Sequence, residues 1–183
     1  MRKFQISILI IILLLMAGCG AKMIVIKTKP VESNTQQVVV ASQANATASD
    51  NHLLQAKKFY NAGKYKQAMK HCEKAVEFNH RNWEAHYYWG LAMQKEREYT
   101  VAINTLGVCL KYCPDNKYVK SDIHYAIGVS WEELGHLENA SQEYALALEL
   151  NPNNKSATKG KHRVKIDRTM ENWKKKKHGD YDG

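Results

Sequence analysis

Between Leu53 and Leu150 the apolar residues recur at steps of three and four, the spacing that gathers side chains on one face of a helix. These stretches come in pairs, and the pairs repeat. The first copy reads Ala56-x-x-Phe59-x3-Gly63-x-Tyr65-x-x-Ala68, and the second reads Gly90-x-x-Met93-x3-Arg97-x-Tyr99-x-x-Ala102. The third reads Gly128-x-x-Trp131-x3-Gly135-x-Leu137-x-x-Ala140. The first two are offset by 34 residues and the next by 38, with four extra residues at Lys117 to Lys120. A second apolar pattern comes after each copy: Cys72, Ala75, Phe78; Leu106, Cys109, Tyr112; Tyr144, Ala147, Leu150. A fixed period of this length predicts an array of helical hairpins.

The punctuation agrees with the periodicity. Ala56, Gly90 and Gly128 on one helix, and Ala68, Ala102 and Ala140 on its partner, are small enough to let paired helices approach closely. Gly63 and Gly135 supply a residue for a positive-φ turn between them. Pro114 and Pro152 end one hairpin before the next begins, since proline cannot continue a helix. Each hairpin buries only one face alone, so stacking is what makes a continuous core. These residues resemble the tetratricopeptide repeat family, whose signature is a small residue, an aromatic three later, Gly-x-Tyr at the turn, Ala three beyond, and Pro-x-Asn after the second helix. The departures are Arg97 for the turn glycine, His80 for proline in His80-Arg81-Asn82, and Leu137 for tyrosine. The resemblance implies an all-α fold, an α-solenoid of about three helix pairs at about 49–82, 83–116 and 121–154. It further implies peptide binding on a concave face.

Charge divides the chain differently. The net charge is +9, yet the repeats are nearly neutral, while residues 155–183 carry ten basic and four acidic side chains. The basicity belongs to the ends. At the N-terminus, Arg2-Lys3 precedes an apolar run from Ile6 to Met16, too short for a transmembrane helix of about 20 residues. It leads into Leu15-Met16-Ala17-Gly18-Cys19, which resembles the bacterial lipoprotein signal, with Met16 where that family usually has leucine. The resemblance implies a signal peptide at 1–18, a diacylated Cys19 and, from Gly20, an outer-membrane location facing the periplasm. An ordinary secretory cut after Ala21 is the alternative. Residues 19–50 are small and polar around Ser33 to Gln37 and Ala41 to Ser49, and read as a flexible tether with a reach of about 30 Å.

Within the repeats, residues offset by one from the inward positions of each first helix are expected to line the concave face. They are Leu53, Lys57, Tyr60 and Asn61; Tyr87, Leu91, Gln94 and Lys95; and Tyr125, Val129, Glu132 and Glu133. An aromatic and apolar groove with sparse charge suits a partner peptide or helix. The family's clamp for acidic C-termini needs a cluster of Lys, Arg and Asn, and Lys57 alone matches it.

Little else carries chemistry. Cys72 and Cys109 fall at packed positions, and Cys109 and Cys113 share a helix face without the four ligands a structural metal site needs. A Cys72–Cys109 bridge between stacked helices is the other reading of these thiols. His86 and His124 occupy equivalent repeat positions, which argues for packing. No phosphate loop, nucleophile elbow or His-Glu-x-x-His is present, so no catalytic residue, metal or cofactor is expected. From Lys155 a capping helix should cover the last repeat with Ala157, Gly160 and Val164. The run Lys174 to Lys177 beyond it is suited to an anionic surface, and nothing in the chain indicates nucleic acid. The expectation is a lipid-anchored, non-catalytic adaptor of the bacterial envelope, binding a partner peptide or helix in its groove. Its implied setting is assembly of an envelope complex, at a pilus secretin or in outer-membrane biogenesis. The rivals are a metal-binding or redox protein using Cys109 and Cys113, and a scaffold for peptidoglycan enzymes.

Overall fold

The computed structural model describes residues 34–179. Across these run seven helices: α1 (Asn34–Asn61), α2 (Tyr65–Phe78), α3 (Trp83–Lys95), α4 (Tyr99–Tyr112), α5 (Lys117–Glu133), α6 (Leu137–Leu150) and α7 (Lys155–Gly179). The chain is all-α over this range. The signal segment, Cys19 and residues 20–33 lie outside the described residues.

Three copies of one turn build the hairpins. At the first, Lys64 N–H donates to Phe59 O at 2.9 Å and Gly63 N–H to Tyr60 O at 3.0 Å. The same pair recurs as Glu98 to Met93 with Arg97 to Gln94, and as His136 to Trp131 with Gly135 to Glu132. These are Schellman caps, which need a left-handed residue after the helix. Gly63 and Gly135 supply it at φ +72° and +77°, and Arg97 adopts φ +64° to do the same. The departure from glycine in the second copy therefore changes the residue and keeps the conformation.

A second repeated device joins one hairpin to the next. Asn82, Asn116 and Asn154 close the three inter-repeat turns and cap the helices that begin there. Asn82 Oδ1 accepts from Ala85 N–H, Asn116 Oδ1 from Tyr118 and Val119 N–H, and Asn154 Oδ1 from Ala157 N–H. At the first and third turns the asparagine also reaches back. Ser49 Oγ donates to Ala75 O at 2.8 Å and accepts from Asn82 Nδ2 at 2.9 Å. Ser121 Oγ does likewise between Ala147 O at 2.7 Å and Asn154 Nδ2 at 2.9 Å. Both serines are fully buried, so each hydroxyl satisfies groups that burial would otherwise leave unpaired.

The helix-facing core is built from small residues, as expected. Ala56, Ala68, Ala102 and Ala140 are wholly buried. A Cβ placed on Gly90 would come within 2.6 Å of Leu106, and one on Gly128 within 2.7 Å of Tyr144. Cys72, Cys109, Leu106, Ala75, Tyr144 and Ala147 of the second helices are buried too, whereas Phe78 is 43% exposed and stacks on His52.

Two features depart from the sequence reading. The four-residue insertion is absorbed inside a helix, since α5 has 17 residues where α3 has 13. Four residues are about one helical turn, so Lys117 to Lys120 extend α5 at its start and leave the rest of the helix in register. The second departure is at α1, which has 28 residues and begins at Asn34. Residues 34–50, expected to be part of a tether, are helical. Ala41 to Thr47 are exposed and buried against nothing, so packing does not hold them. Their helicity is a matter of propagation: α1 is nucleated where it docks, each further residue extends an existing helix, and alanine and glutamine cost little. At the other end, α7 runs unbroken to Gly179. Ala157, Gly160 and Val164 of α7 are buried against the last repeat, making it the capping helix.

Candidate functional site

The first helices of the hairpins, α1, α3 and α5, touch one another along one surface of the stack. Between them lies a groove of about 170 Å³. Lys57 of α1 borders it, Trp83, Glu84, Tyr87 and Tyr88 of α3 form its floor and side, and Val119, Asp122 and Ile123 of α5 form the opposite wall. Val119 belongs to the extra turn of α5, so the four-residue insertion supplies part of that wall.

The groove combines aromatic surface with carboxylates. Tyr60, Tyr88 and Tyr87 meet edge to face in succession, with ring centroids 5.6 Å and 5.8 Å apart. Lys57 Nζ pairs with Glu84 and lies 5.4 Å from the centre of the Tyr88 ring. Asp122 Oδ1 accepts from Asn154 Nδ2 at 3.2 Å. Desolvation raises the Asp122 carboxyl above the usual carboxylate range, against the lowering effect of that hydrogen bond. Burial raises the Tyr87 hydroxyl, and the nearby Asp122 charge raises it further.

Of the residues expected to line a groove, Lys57 and Tyr87 border this one and Tyr60 packs on its edge against Tyr88. Asn61, Lys95 and Glu133 are exposed outside it, and the others serve the packing of the stack. Leu53 is buried with Ala75 and Ala85, and Leu91 packs against the core around Leu106 and Ile123. Gln94 Nε2 donates to Ala126 O at 2.5 Å and Ser130 Oγ at 2.7 Å, bracing α3 on α5. Tyr125 and Val129 pack on the cluster of Ala140, Tyr144 and Val164, beneath α7. Glu132, expected in the groove, instead ties α5 to its neighbours: it accepts from the Arg163 guanidinium of α7 and from Tyr144 Oη at 2.5 Å. Sequence reasoning missed Trp83, Glu84, Tyr88, Val119, Asp122 and Ile123. Glu84 and Asp122 sit three residues before Tyr87 and Tyr125, on the same helical face and one turn earlier, so the spacing already pointed to them.

The thiols and imidazoles are occupied locally. Cys72, Cys109 and Cys113 are free thiols, with no bridge between Cys72 and Cys109. Burial pushes Cys72 and Cys109 each up to about 12, and Cys109 Sγ donates to Trp83 O. His86 contacts His80 O at 3.0 Å and His124 contacts Glu143 at 2.7 Å, in keeping with packing roles. Among the described residues, no three His, Cys, Asp or Glu side chains converge as metal ligands would.

The hairpins, their identical caps and the shared concave face define an α-solenoid of helix pairs. Residues 121–154 match the family model of the tetratricopeptide repeat. The other two hairpins carry the same turn, cap and packing positions, and the fold is that of a tetratricopeptide repeat array. Solved structures agree in fold. The first tetratricopeptide domain of human RPAP3 is 20% identical, with 67% of this chain and 94% of that one covered at a TM-score of 0.62. The tetratricopeptide domain of Arabidopsis OM64 is 21% identical, with 66% and 96% covered and a TM-score of 0.61. The second such domain of human RPAP3, in complex with the HSP70 peptide SGPTIEEVD, is 22% identical, with 68% and 98% covered and a TM-score of 0.59. No curated protein sequence matches the chain.

Proposed function

We propose that this protein is a lipid-anchored, non-catalytic adaptor of a bacterial envelope. Its groove between α1, α3 and α5 holds a peptide or helix of an envelope partner, and Cys19 carries the acyl chains that fix its location. The observation that carries this reading is the groove itself, where Trp83, Tyr87 and Tyr88 line a concavity rimmed by charged groups. Aromatic anchors in a concavity supply most of the binding energy in such interfaces, while a polar rim supplies register. The human RPAP3 domain bound to an HSP70 peptide supports the use of this fold for peptide capture.

The envelope setting rests on the lipoprotein-like signal around Cys19. An outer-membrane location facing the periplasm and a role in assembling a pilus secretin or another outer-membrane complex extend that reading. Lys174, Lys176 and Lys177 are exposed near the end of α7, where they can meet an anionic surface in a salt-sensitive contact. The redox alternative is disfavoured because burial raises both Cys109 and Cys113 above the ordinary thiol range and so lowers their thiolate content at neutral pH.

Fractionation and crosslinking test the proposal together. Cys19→Ser should move the protein from the membrane to the soluble fraction. A photoreactive side chain at Trp83 should capture an envelope protein that the same probe at Val108, exposed on α4, does not. Equal capture from both positions would remove the groove as the binding face.

A further inference from the structure

The repeat symmetry leaves one charge of the groove unanswered. Lys57 of α1 pairs with Glu84 of α3 across the first repeat junction, with its ammonium near the face of Tyr88. Moving one repeat along, Glu84 becomes Asp122, which lies 38 residues later. Lys57 becomes Leu91, which lies 34 residues later. The carboxylate is kept and its cation is replaced by a leucine. Among the described residues no lysine, arginine or histidine forms an ion pair with Asp122, and its one side-chain partner is the neutral Asn154 amide. The ring that Lys57 meets, Tyr88, has Ala126 as its counterpart here, but the groove itself supplies other surface beside Asp122: Trp83 and Tyr87 offer rings, and Val119 and Ile123 offer apolar surface for an aliphatic stem.

We infer that the groove takes a cationic partner segment, with an arginine or lysine side chain set on Asp122 between Trp83, Tyr87 and Val119. This rests on the groove being the binding face. The partner completes the ion pair that Lys57 and Glu84 make within the chain, gaining the electrostatic attraction of the aromatic faces as well. The same arrangement turns away acidic peptides. The HSP70 peptide held by the human RPAP3 domain ends in EEVD, whereas in this groove Lys57 and Glu84 answer each other and leave the Asp122 carboxylate as the unpaired charge.

A random-heptapeptide phage selection on the full chain decides the matter. Clones that bind wild type and are lost on Tyr87→Ala should be enriched in arginine and lysine and depleted in Asp and Glu. For the strongest clone made as a synthetic peptide, Asp122→Asn should weaken binding at least tenfold. Replacing its arginine by citrulline, the neutral isostere, should weaken binding by a similar factor on wild type and by little on Asp122→Asn. Leu91→Lys, which restores the missing cation within the chain, should also weaken the peptide at least tenfold, with helicity by circular dichroism unchanged. Groove-dependent clones that are neutral or acidic, or a citrulline cost that is equal on wild type and Asp122→Asn, would overturn the cationic assignment and leave the groove standing. Clones that bind Tyr87→Ala as well as wild type, or no enrichment at all, would overturn the groove reading itself.

Discussion

Arg97 holds φ +64° at a turn whose two counterparts are glycine. A side chain in that conformation brings its Cβ against the neighbouring carbonyl, at a cost of roughly 1–2 kcal/mol. Arg97→Gly should relieve this strain while adding freedom to the unfolded chain, for a net stabilisation of about 1 kcal/mol. The expected readout is a thermal midpoint raised by roughly 2–4 °C. A fall in the midpoint would mean that the arginine side chain holds the turn by contacts of its own. At this scale much is legible in the sequence. The positive-φ turn residues, the small residues at helix crossings and the buried cysteines all stem from volume and backbone freedom, which a sequence displays directly. Ser49 and Glu132 are not legible. Each looks like a polar residue at a boundary, and only the partner brought in from another helix, Asn82 for one and Arg163 for the other, makes it structural.

Among the elements, α7 is the one whose docking depends most visibly on charge. Burial raises Glu132, but hydrogen bonds from Arg163 and Tyr144 outweigh it and hold the carboxyl below its ordinary range. A carboxylate depressed in this way contributes stability that is present above its unfolded-state pKa and is lost as pH falls through the folded value. Glu132→Gln should therefore lower the thermal midpoint at neutral pH, by an amount equivalent to about 1 kcal/mol given the solvent around Arg163. The gap between wild type and variant should begin to narrow below the ordinary glutamate pKa of about 4.3 and close only once the pH has passed below the depressed folded value. A gap that persists in acid would assign the contact to packing rather than charge. Most of the helices can be read from the sequence because their apolar faces are periodic. The start of α1 cannot, because residues 41–47 are exposed and offer no buried face for a periodicity to report. The extra turn of α5 is visible as an insertion of four residues, but its consequence, a wall for the groove through Val119, needs the third dimension.

Over the whole molecule, the stack has a plain division of labour. The hairpins and α7 make a core, and α1 extends beyond that core at the N-terminal end. A helix from Asn34 to Ser49 adds about 24 Å of rigid rise between the repeats and whatever precedes them. No helix among the described residues is long and apolar enough to cross a membrane, so attachment, on our proposal, falls to Cys19. The solenoid then presents its concave face with Tyr87 near the centre, and the capture of a partner there is the central claim. Its direct measurement is the affinity of the crosslinked envelope partner for the purified chain, wild type against Tyr87→Ala, with Val108→Ala as a control and circular dichroism confirming that all three are folded. The account expects Tyr87→Ala to weaken binding at least tenfold and Val108→Ala to leave it unchanged. Equal affinity for wild type and Tyr87→Ala would contradict it.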